Sequence, residues 1–423
     1  MKIVLVYADV KSPWVSAQSI RENLRKVWLG IDSLEVVDSA YSMEQDWMQW
    51  GQSLQSKKPD LIVFLESMPV PVKAVGAITK ISSLKSTPFL FHLYGDFSIN
   101  THKWFSAGQL LIGRRVMWLT ASAAQHGQFL QFCKPVVDVR CLPFPVDCEF
   151  FNPFSLKKEA ADPEFKFFYT GRFSRQKNTL LLLEWAAEYL QKNSNVSFDF
   201  AGPFDDIGGG LWGLKEPRGW TASKWMTKQK SFPSPVRRRI RYHGVLSASE
   251  VRDLALKSDC YVSLSTFHDE DFGMAPLESL LCGTRAILSG WGGFSSFGFD
   301  KEGVEILPVG IENESLTLKK QDFFKALDKA QKKKKVTIEE RYLRHLNFSA
   351  HFGIEAVAQD LKNHLSAKFK IFTGFNDFML AHSDLMLKHW LYGGLVYKNP
   401  GKTDPVYERV YQSYLKPDLS VQS

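Results

Sequence analysis

Between Leu142 and Pro153 the chain reads Leu-Pro-Phe-Pro-Val-Asp-Cys-Glu-Phe-Phe-Asn-Pro, and its three prolines exclude both a regular helix and a central strand there. On either side of this break, apolar runs of strand length alternate with amphipathic helical stretches. Before it, strands are expected at Lys2 to Tyr7, Leu34 to Val37, Leu61 to Leu65, Phe89 to Leu93 and Met117 to Thr120, with helices at Ser16 to Trp28 and Met43 to Gln55. After it the alternation restarts at Phe165 to Thr170. It continues with a helix around Thr179 to Gln191, Val196 to Ala201, a helix around Ala248 to Lys257, Cys260 to Leu264, a helix from Met274 to Cys282, and Ala286 to Ser289. This is an α/β chain of two Rossmann-like, doubly wound parallel-sheet domains, expected to face each other across a cleft, with ligands beyond the carboxyl ends of the strands.

The expected domains are residues 1–150, residues 151–345 with an insertion at 203–241, and residues 346–423. The insertion joins two elements that ordinarily need a far shorter connection. It contains Gly208, Gly209, Gly210, Trp212, Trp220, Trp225 and the basic group Arg237, Arg238, Arg239 and Arg241, and reads as a packed surface excursion, with a substrate or membrane contact as the alternative. Residues 371–423, with Phe372, Phe375, Phe378, Met379, Trp390, Tyr392 and Tyr397, are too aromatic for a disordered tail and should pack on the first domain or on a partner.

A length of 423 residues with 44% hydrophobic content suits two or three globular domains, and the net charge of +8 suits an anionic partner such as a nucleotide diphosphate, an anionic membrane surface or nucleic acid, without choosing among them. The run Lys332 to Lys335 reads as the solvated end of a helix and not as a nucleic-acid site. Cys133, Cys141, Cys148, Cys260 and Cys282 form no CxxC pair and have no histidine at metal-ligand spacing, so reduced thiols and no metal are expected. Asp9 interrupts the first apolar run before it could serve as a signal peptide, and no later stretch is long and apolar enough to span a bilayer. The expected location is the cytoplasm, with any membrane contact peripheral.

The segment His268-Asp269-Glu270-Asp271-Phe272-Gly273-Met274-Ala275-Pro276-Leu277-Glu278 follows a strand and opens a helix. Gly273 would let backbone approach a ligand, and the first-turn amides from Met274 onward are unpaired donors at the positive end of the helix dipole. Glu278 falls about one turn inside, where it could face a ribose, while Glu270 stays in the loop nearer to what the phosphate carries. Ser247 and Glu250 form a capping box for another helix.

Glu270 and Glu278, set in Glu-Asp-Phe-Gly and Glu-Ser-Leu-Leu-Cys-Gly-Thr, resemble the E-x7-E signature of group 1 (family 4) glycosyltransferases of the GT-B fold. Tyr169-Thr170-Gly171-Arg172-Phe173-Ser174-Arg175-Gln176-Lys177-Asn178 resembles that family's Gly-Arg-Leu loop with its following lysine. Ala201-Gly202-Pro203 and Arg241-Tyr242-His243-Gly244 resemble segments near the nucleotide base. Pro145 to Pro153 resembles the family's domain crossover, and Asn347-Phe348-Ser349 opens a late helix expected to cross back to the first domain.

The resemblance implies a metal-independent, retaining transferase that takes its sugar from a UDP- or GDP-type donor and needs no cofactor. Catalytic roles would fall to Arg172, Lys177 and Glu270. Donor contacts would come from Gly171, Arg172, Lys177, Gly202, His243, Glu270, Phe272, Gly273, Met274 and Glu278. The acceptor would be a carbohydrate or lipid-linked group of envelope or polysaccharide type. Departures cluster at the acceptor end: Lys11-Ser12-Pro13-Trp14 stands where the family has paired glycines, and Tyr94-Gly95-Asp96 where it has a His-Gly-Asp-like end, with His92 displaced by two residues. Trp14, Tyr94 and Asp96 are the acceptor-side candidates. Gly290-Trp291-Gly292-Gly293 keeps paired glycines but lacks the acidic residue that follows them in the family. Two other readings stay open: a nucleotide-sugar epimerase or hydrolase of the same fold, and a non-catalytic nucleotide-sugar-binding module. A dinucleotide-dependent dehydrogenase is disfavoured because no G-x-G-x-x-G follows the first strand.

Overall fold

A computed structural model describes residues 1–9, 15–42, 46–66, 70–154, 164–206, 217–266, 270–333, 335–392 and 403–422. The chain divides into two compact units. The first comprises Met1–Val146, Phe352–Tyr392 and Val410–Ser423, and the second Asp147–His351 and Gly393–Arg409.

The first unit is built on β1 (Lys2–Ala8), β2 (Glu35–Tyr41), β3 (Leu61–Phe64), β4 (Phe89–Leu93), β5 (Val116–Thr120) and β6 (Asp138–Cys141), all parallel in the order β2-β1-β3-β4-β5-β6. Helices α1 (Val15–Leu29), α2 (Trp47–Lys57), α3 (Val70–Ile78), α4 (Thr101–Leu111) and α5 (Ala123–Phe132) make the crossovers. β3, β4 and β5 are buried along their whole length, which is why they read as unbroken apolar runs instead of alternating ones. Strand β2 runs four residues beyond the expected Val37, through Asp38, Ser39 and Ala40 to Tyr41, because parallel pairing with β1 outweighs the weak strand propensity of those polar residues. Helix α2 starts later than Met43, where the Asp46 carboxylate caps the amides of Met48 and Gln49.

The second unit repeats the plan with β7 (Phe165–Thr170), β8 (Val196–Ala201), β9 (Ile240–Tyr242), β10 (Cys260–Ser263), β11 (Arg285–Ser289) and β12 (Val304–Leu307), in the order β12-β11-β10-β7-β8-β9. Its helices are α6 (Thr179–Lys192), α7 (Trp220–Ser231), α8 (Ser234–Arg237), α9 (Ala248–Leu256), α10 (Met274–Leu281), α11 (Lys320–Lys332) and α12 (Ile338–Phe352), and β13 (Val309–Glu312) pairs with β14 (Ser315–Leu318) as a hairpin. The capping box of Ser247 and Glu250 is formed at α9. Within the insertion, Trp225 of α7 is fully buried and meets the rings of Phe173, Phe200 and Tyr242 at 5.6, 5.7 and 5.5 Å, so α7 is packed onto the sheet. Gly208 to Gly210 and Trp212 lie outside the described residues. All five cysteines are free thiols, and no helix among the described residues is long and apolar enough to cross a membrane.

Most of the tail completes the first unit. Helix α13 (Ile354–Ser366) packs on α1 and α14 (Asp377–Tyr392) on α4 and α5, α15 (Pro405–Val410) falls almost wholly in the second unit, and α16 (Gln412–Leu415) lies on α5 in the first. Phe372 and Phe375 join Trp118 at 5.9 and 6.2 Å, extending the stack Phe64, Phe91, Trp118 whose rings lie 4.6 and 4.5 Å apart. An added Cβ on Gly108 of α4 would come within 2.5 Å of the Phe375 ring, so that glycine makes room for it. Tyr397 lies outside the described residues.

Removing the Phe375 ring leaves a cavity in this layer. Phe375→Ala should cost about 3–5 kcal/mol, read as a lower urea midpoint, whereas Leu391→Ala, at a position 57% exposed, should stay within about 0.5 kcal/mol of the parent.

Candidate functional site

In an open parallel sheet the crevice forms where neighbouring strands send their connections to opposite faces. In the second unit that point lies between β7 and β10, so the chain after Thr170 and the chain after Ser263 emerge side by side. All the candidate donor-site segments except those after β8 and β9 start from these two strand ends.

The loop after β7 is fixed from both sides. Phe173 N–H donates to Pro203 O at 2.8 Å and Asp205 N–H to Phe173 O at 2.9 Å, and the Tyr169 hydroxyl donates to Arg172 O at 2.8 Å. The Arg172 guanidinium forms an ion pair with Asp205. At the start of α6, Asn178 in the left-handed region donates its side-chain amide to Leu264 O at 2.8 Å and to Thr266 Oγ1 at 3.0 Å, tying the two loops together. Lys177 lies one residue earlier, and its Nζ reaches Glu270 Oε2 at 2.6 Å, with both side chains largely buried.

After β10 the backbone approaches itself closely. Gly293 N–H donates to Glu270 O at 2.8 Å, and an ideal Cβ on Gly293 would sit 2.2 Å from Phe272 Cα. Gly273 has φ +106° and caps α10 with no side chain in the way, and a Cβ there would fall 2.7 Å from the Phe294 ring. Phe272 is buried beneath this turn, and Met274 is the first residue of α10. The start of α10 thus carries no side-chain cap, and its dipole favours an anion.

Glu278, one turn into α10, is half-buried, and burial pushes its carboxyl up to about 7. Gly171 and Gly202 end β7 and β8, with Gly171 N–H donating to Ala201 O at 3.1 Å. His243, just past β9, has Nε2 2.6 Å from Asp199 Oδ1, and Arg241 donates to both oxygens of the same carboxylate at 2.8 Å. Burial alone would raise the Asp199 carboxyl, yet the hydrogen bonds from Arg241 and His243 hold it below the usual range.

Two carboxylates that matter here escaped the sequence reading. Asp199 stands alone in the buried run Val-Ser-Phe-Asp-Phe-Ala, a pattern that by itself demands a cation. Asp205 carries no such signal, since its partner Arg172 lies on a different loop.

In the first unit the strand order reverses between β1 and β3. There the Glu66 carboxylate accepts from Ala8 N–H at 2.7 Å and from the Tyr41 hydroxyl, and burial raises its pKa. Of the acceptor-side candidates, Tyr94 lies near enough to this group to act electrostatically on the Tyr41 hydroxyl. Trp14, with the whole stretch Lys11 to Trp14, lies outside the described residues. Tyr94 meets the Phe144 ring edge-on at 5.8 Å. The buried Asp96 carboxylate accepts from Ser98 N–H at 2.9 Å, from Gln128 Nε2 at 3.2 Å and from the Tyr411 hydroxyl. His92 is a satisfied core residue: its Nε2 accepts from Trp28 Nε1 at 3.0 Å, and burial lowers its pKa to about 3. Among the described residues no group of three or more His, Cys, Asp and Glu side chains converges as a metal site.

Residues 152–304 match the family model of glycosyl transferases group 1, a span that holds every donor-site residue named above. No curated protein shows significant sequence similarity to the chain. Among solved structures, Anabaena Alr3699/HepE in complex with UDP and glucose superposes with a TM-score of 0.61 at 15% identity, over 87% of this chain and 100% of that one. A glycosyltransferase from Rickettsia africae gives 0.61 at 13% identity, over 86% and 98%. The lipopolysaccharide outer core galactosyltransferase WaaB gives 0.56 at 14% identity, over 86% and 99%. At such identities the likeness shows the fold, which is that of the GT-B glycosyltransferases.

The raised pKa of Glu278 has a stability consequence of definite sign. From its ordinary 4.5 up to about 7 the folded protein keeps a proton that the unfolded chain releases, so a charging penalty appears as pH rises through that window and is complete above it. Glu278→Gln should therefore be more stable than the parent at pH 8, by on the order of 3 kcal/mol, and close to the parent at pH 5. A difference that does not change with pH would contradict the desolvation of this carboxyl.

Proposed function

We propose that the protein is a group 1 glycosyltransferase that moves a sugar from a nucleoside diphosphate sugar, held on the second unit, to an acceptor, with retention at the anomeric carbon. The observation that carries this reading is the Lys177–Glu270 pair beside the uncapped start of α10, inside the segment that matches the group 1 model.

When the bond between sugar and diphosphate breaks, negative charge accumulates on the departing phosphate oxygens. Lys177, Arg172 and the amides of Met274 and Ala275 are donors set to meet that charge, and they stabilise the transition state more than the ground state. This cationic frame does the work a divalent ion would do, so donor binding is expected to persist in EDTA. Glu278 takes the ribose hydroxyls, and Glu270, already oriented by Lys177, takes hydroxyls of the donor sugar. The acceptor oxygen attacks on the face the diphosphate leaves, without a sugar covalently attached to the enzyme. HepE was crystallised with UDP and glucose, which makes uridine nucleotides the first donors to test, and WaaB, a lipopolysaccharide galactosyltransferase, supports an acceptor of envelope type.

Calorimetric titration with UDP and UDP-glucose in EDTA tests the donor site. Ribose hydroxyls donate to the charged carboxylate, so binding should draw the Glu278 pKa downward, release a proton below about pH 7, and tighten as pH rises to that value. Glu278→Gln should remove this pH dependence. Lys177→Ala should lower turnover by roughly 10² to 10³, or about 2.7–4 kcal/mol, while leaving the fold intact. Unchanged turnover would remove Lys177 from the mechanism, and an inverted anomeric signal in the product's proton spectrum would overturn retention.

A further inference from the structure

Three loops of the first unit meet at the end of its sheet opposite the carboxyl ends of the strands. Gly113 N–H donates to Phe372 O at 3.0 Å and Val116 N–H to Lys370 O at 3.1 Å, joining the turn before β5 to the segment before α14. Lys134 N–H donates to Gly374 O at 3.2 Å, and the Thr373 hydroxyl to Val136 O at 3.1 Å, bringing in the turn after α5. The tips are in contact, for a Cβ on Gly374 would lie 3.3 Å from Ile112 Cδ1 and 3.9 Å from Lys134 Nζ.

This rigid platform shows aliphatic side chains to solvent. Ile112 is 49%, Val136 56% and Ile371 55% exposed. Arg115, Lys134 and Lys368 are exposed around them. None of residues 110–115, 130–137 or 367–374 is acidic. Asp138, just beyond the platform, is buried and paired with Arg140. Arg114 is not part of the surface: it is buried over the Phe89 ring and donates to Leu84 O and Thr87 O. Branched aliphatic residues on a fixed platform, ringed by cations with no acid among them, match an anionic lipid surface in both of its properties. The aliphatic tips would enter the interface while the ammonium and guanidinium groups stay at headgroup level. Another basic surface, around Lys230 and Arg237, has no comparable cluster of exposed aliphatic residues among the described residues.

We propose that this face of the first unit is a peripheral membrane contact, with Ile112, Val136 and Ile371 entering an anionic bilayer and Arg115, Lys134 and Lys368 pairing with lipid phosphates. It lies at the far end of the sheet from the carboxyl ends of the strands, so it anchors the enzyme instead of forming part of a ligand crevice. It stands independently of the donor-site reading.

Co-sedimentation with phosphatidylcholine vesicles, with and without phosphatidylglycerol, tests it on the full chain. The parent should bind only the anionic vesicles, less so as salt rises. K134E/K368E should weaken binding roughly 20-fold or more, at about fivefold for each lysine lost, and I112S/I371S should weaken it roughly tenfold at unchanged charge. K230E/R237E removes the same net charge from the second unit and should bind as the parent does. Far-ultraviolet circular dichroism of each variant, matching the parent, establishes that the fold is kept. No binding by the parent, equal losses in both charge-reversal variants, or a concentration-dependent dimer that I112S/I371S dissolves would each overturn the proposal.

Discussion

The candidate donor site depends on how closely the chain after β10 lies against the Gly292–Gly293 turn. With a Cβ excluded at Gly293 and the Glu270 carbonyl held by the Gly293 amide, the backbone of residues 270–273 has one course, and that course delivers Glu270 and the first turn of α10 to the same place. A side chain at Gly293 would push the two segments apart, moving a carboxylate and a set of amide donors together. Placement of this kind favours catalysis because the groups need not be gathered anew in each turnover.

The charges at the candidate site are matched by neighbouring side chains. Arg172 is held by Asp205, Lys177 by Glu270, and Asp199 by Arg241 and His243. A cation left alone in such a partly buried place would lose solvation without recompense, so each is kept oriented by an acid. Under the proposed function, an arriving diphosphate would compete with these carboxylates in an exchange of partners instead of meeting bare cations. The exchange also links the insertion to the site, because Asp205 holds Arg172 while neighbouring Asp206 accepts from Thr221 N–H at 2.8 Å at the start of α7.

Most of the fold is legible in the sequence, for a plain reason. Strands buried on both faces must be apolar throughout, and the proline-rich break at residues 143–153 separates two such series. Prolines, glycines and capping residues act locally, so the restart at Phe165, the box at Ser247 and the opening of α10 could be read in place. The sequence was least informative where long-range contacts decide. The polar residues of β2 gave no sign that β1 would draw them into the sheet. Asp96 looked available at a strand end, yet Tyr411, more than three hundred positions away, closes on it. Asp205 had no legible link to Arg172 for the same reason.

The tail shows how one segment can serve packing and leave a surface free for another use. Phe372 and Phe375 point inward and complete the aromatic layer, while Ile371, adjacent in sequence, points outward beside Arg115. That alternation follows from extended backbone, in which successive side chains take opposite faces. The inward residues need the chain exactly where the backbone bonds to Gly113, Val116 and Lys134 put it. Once those bonds are made, Ile371 is presented whether or not exposure suits a protein in water. An apolar residue fixed in this way is a lasting cost in solution unless something covers it, and the cations around it select what that something is.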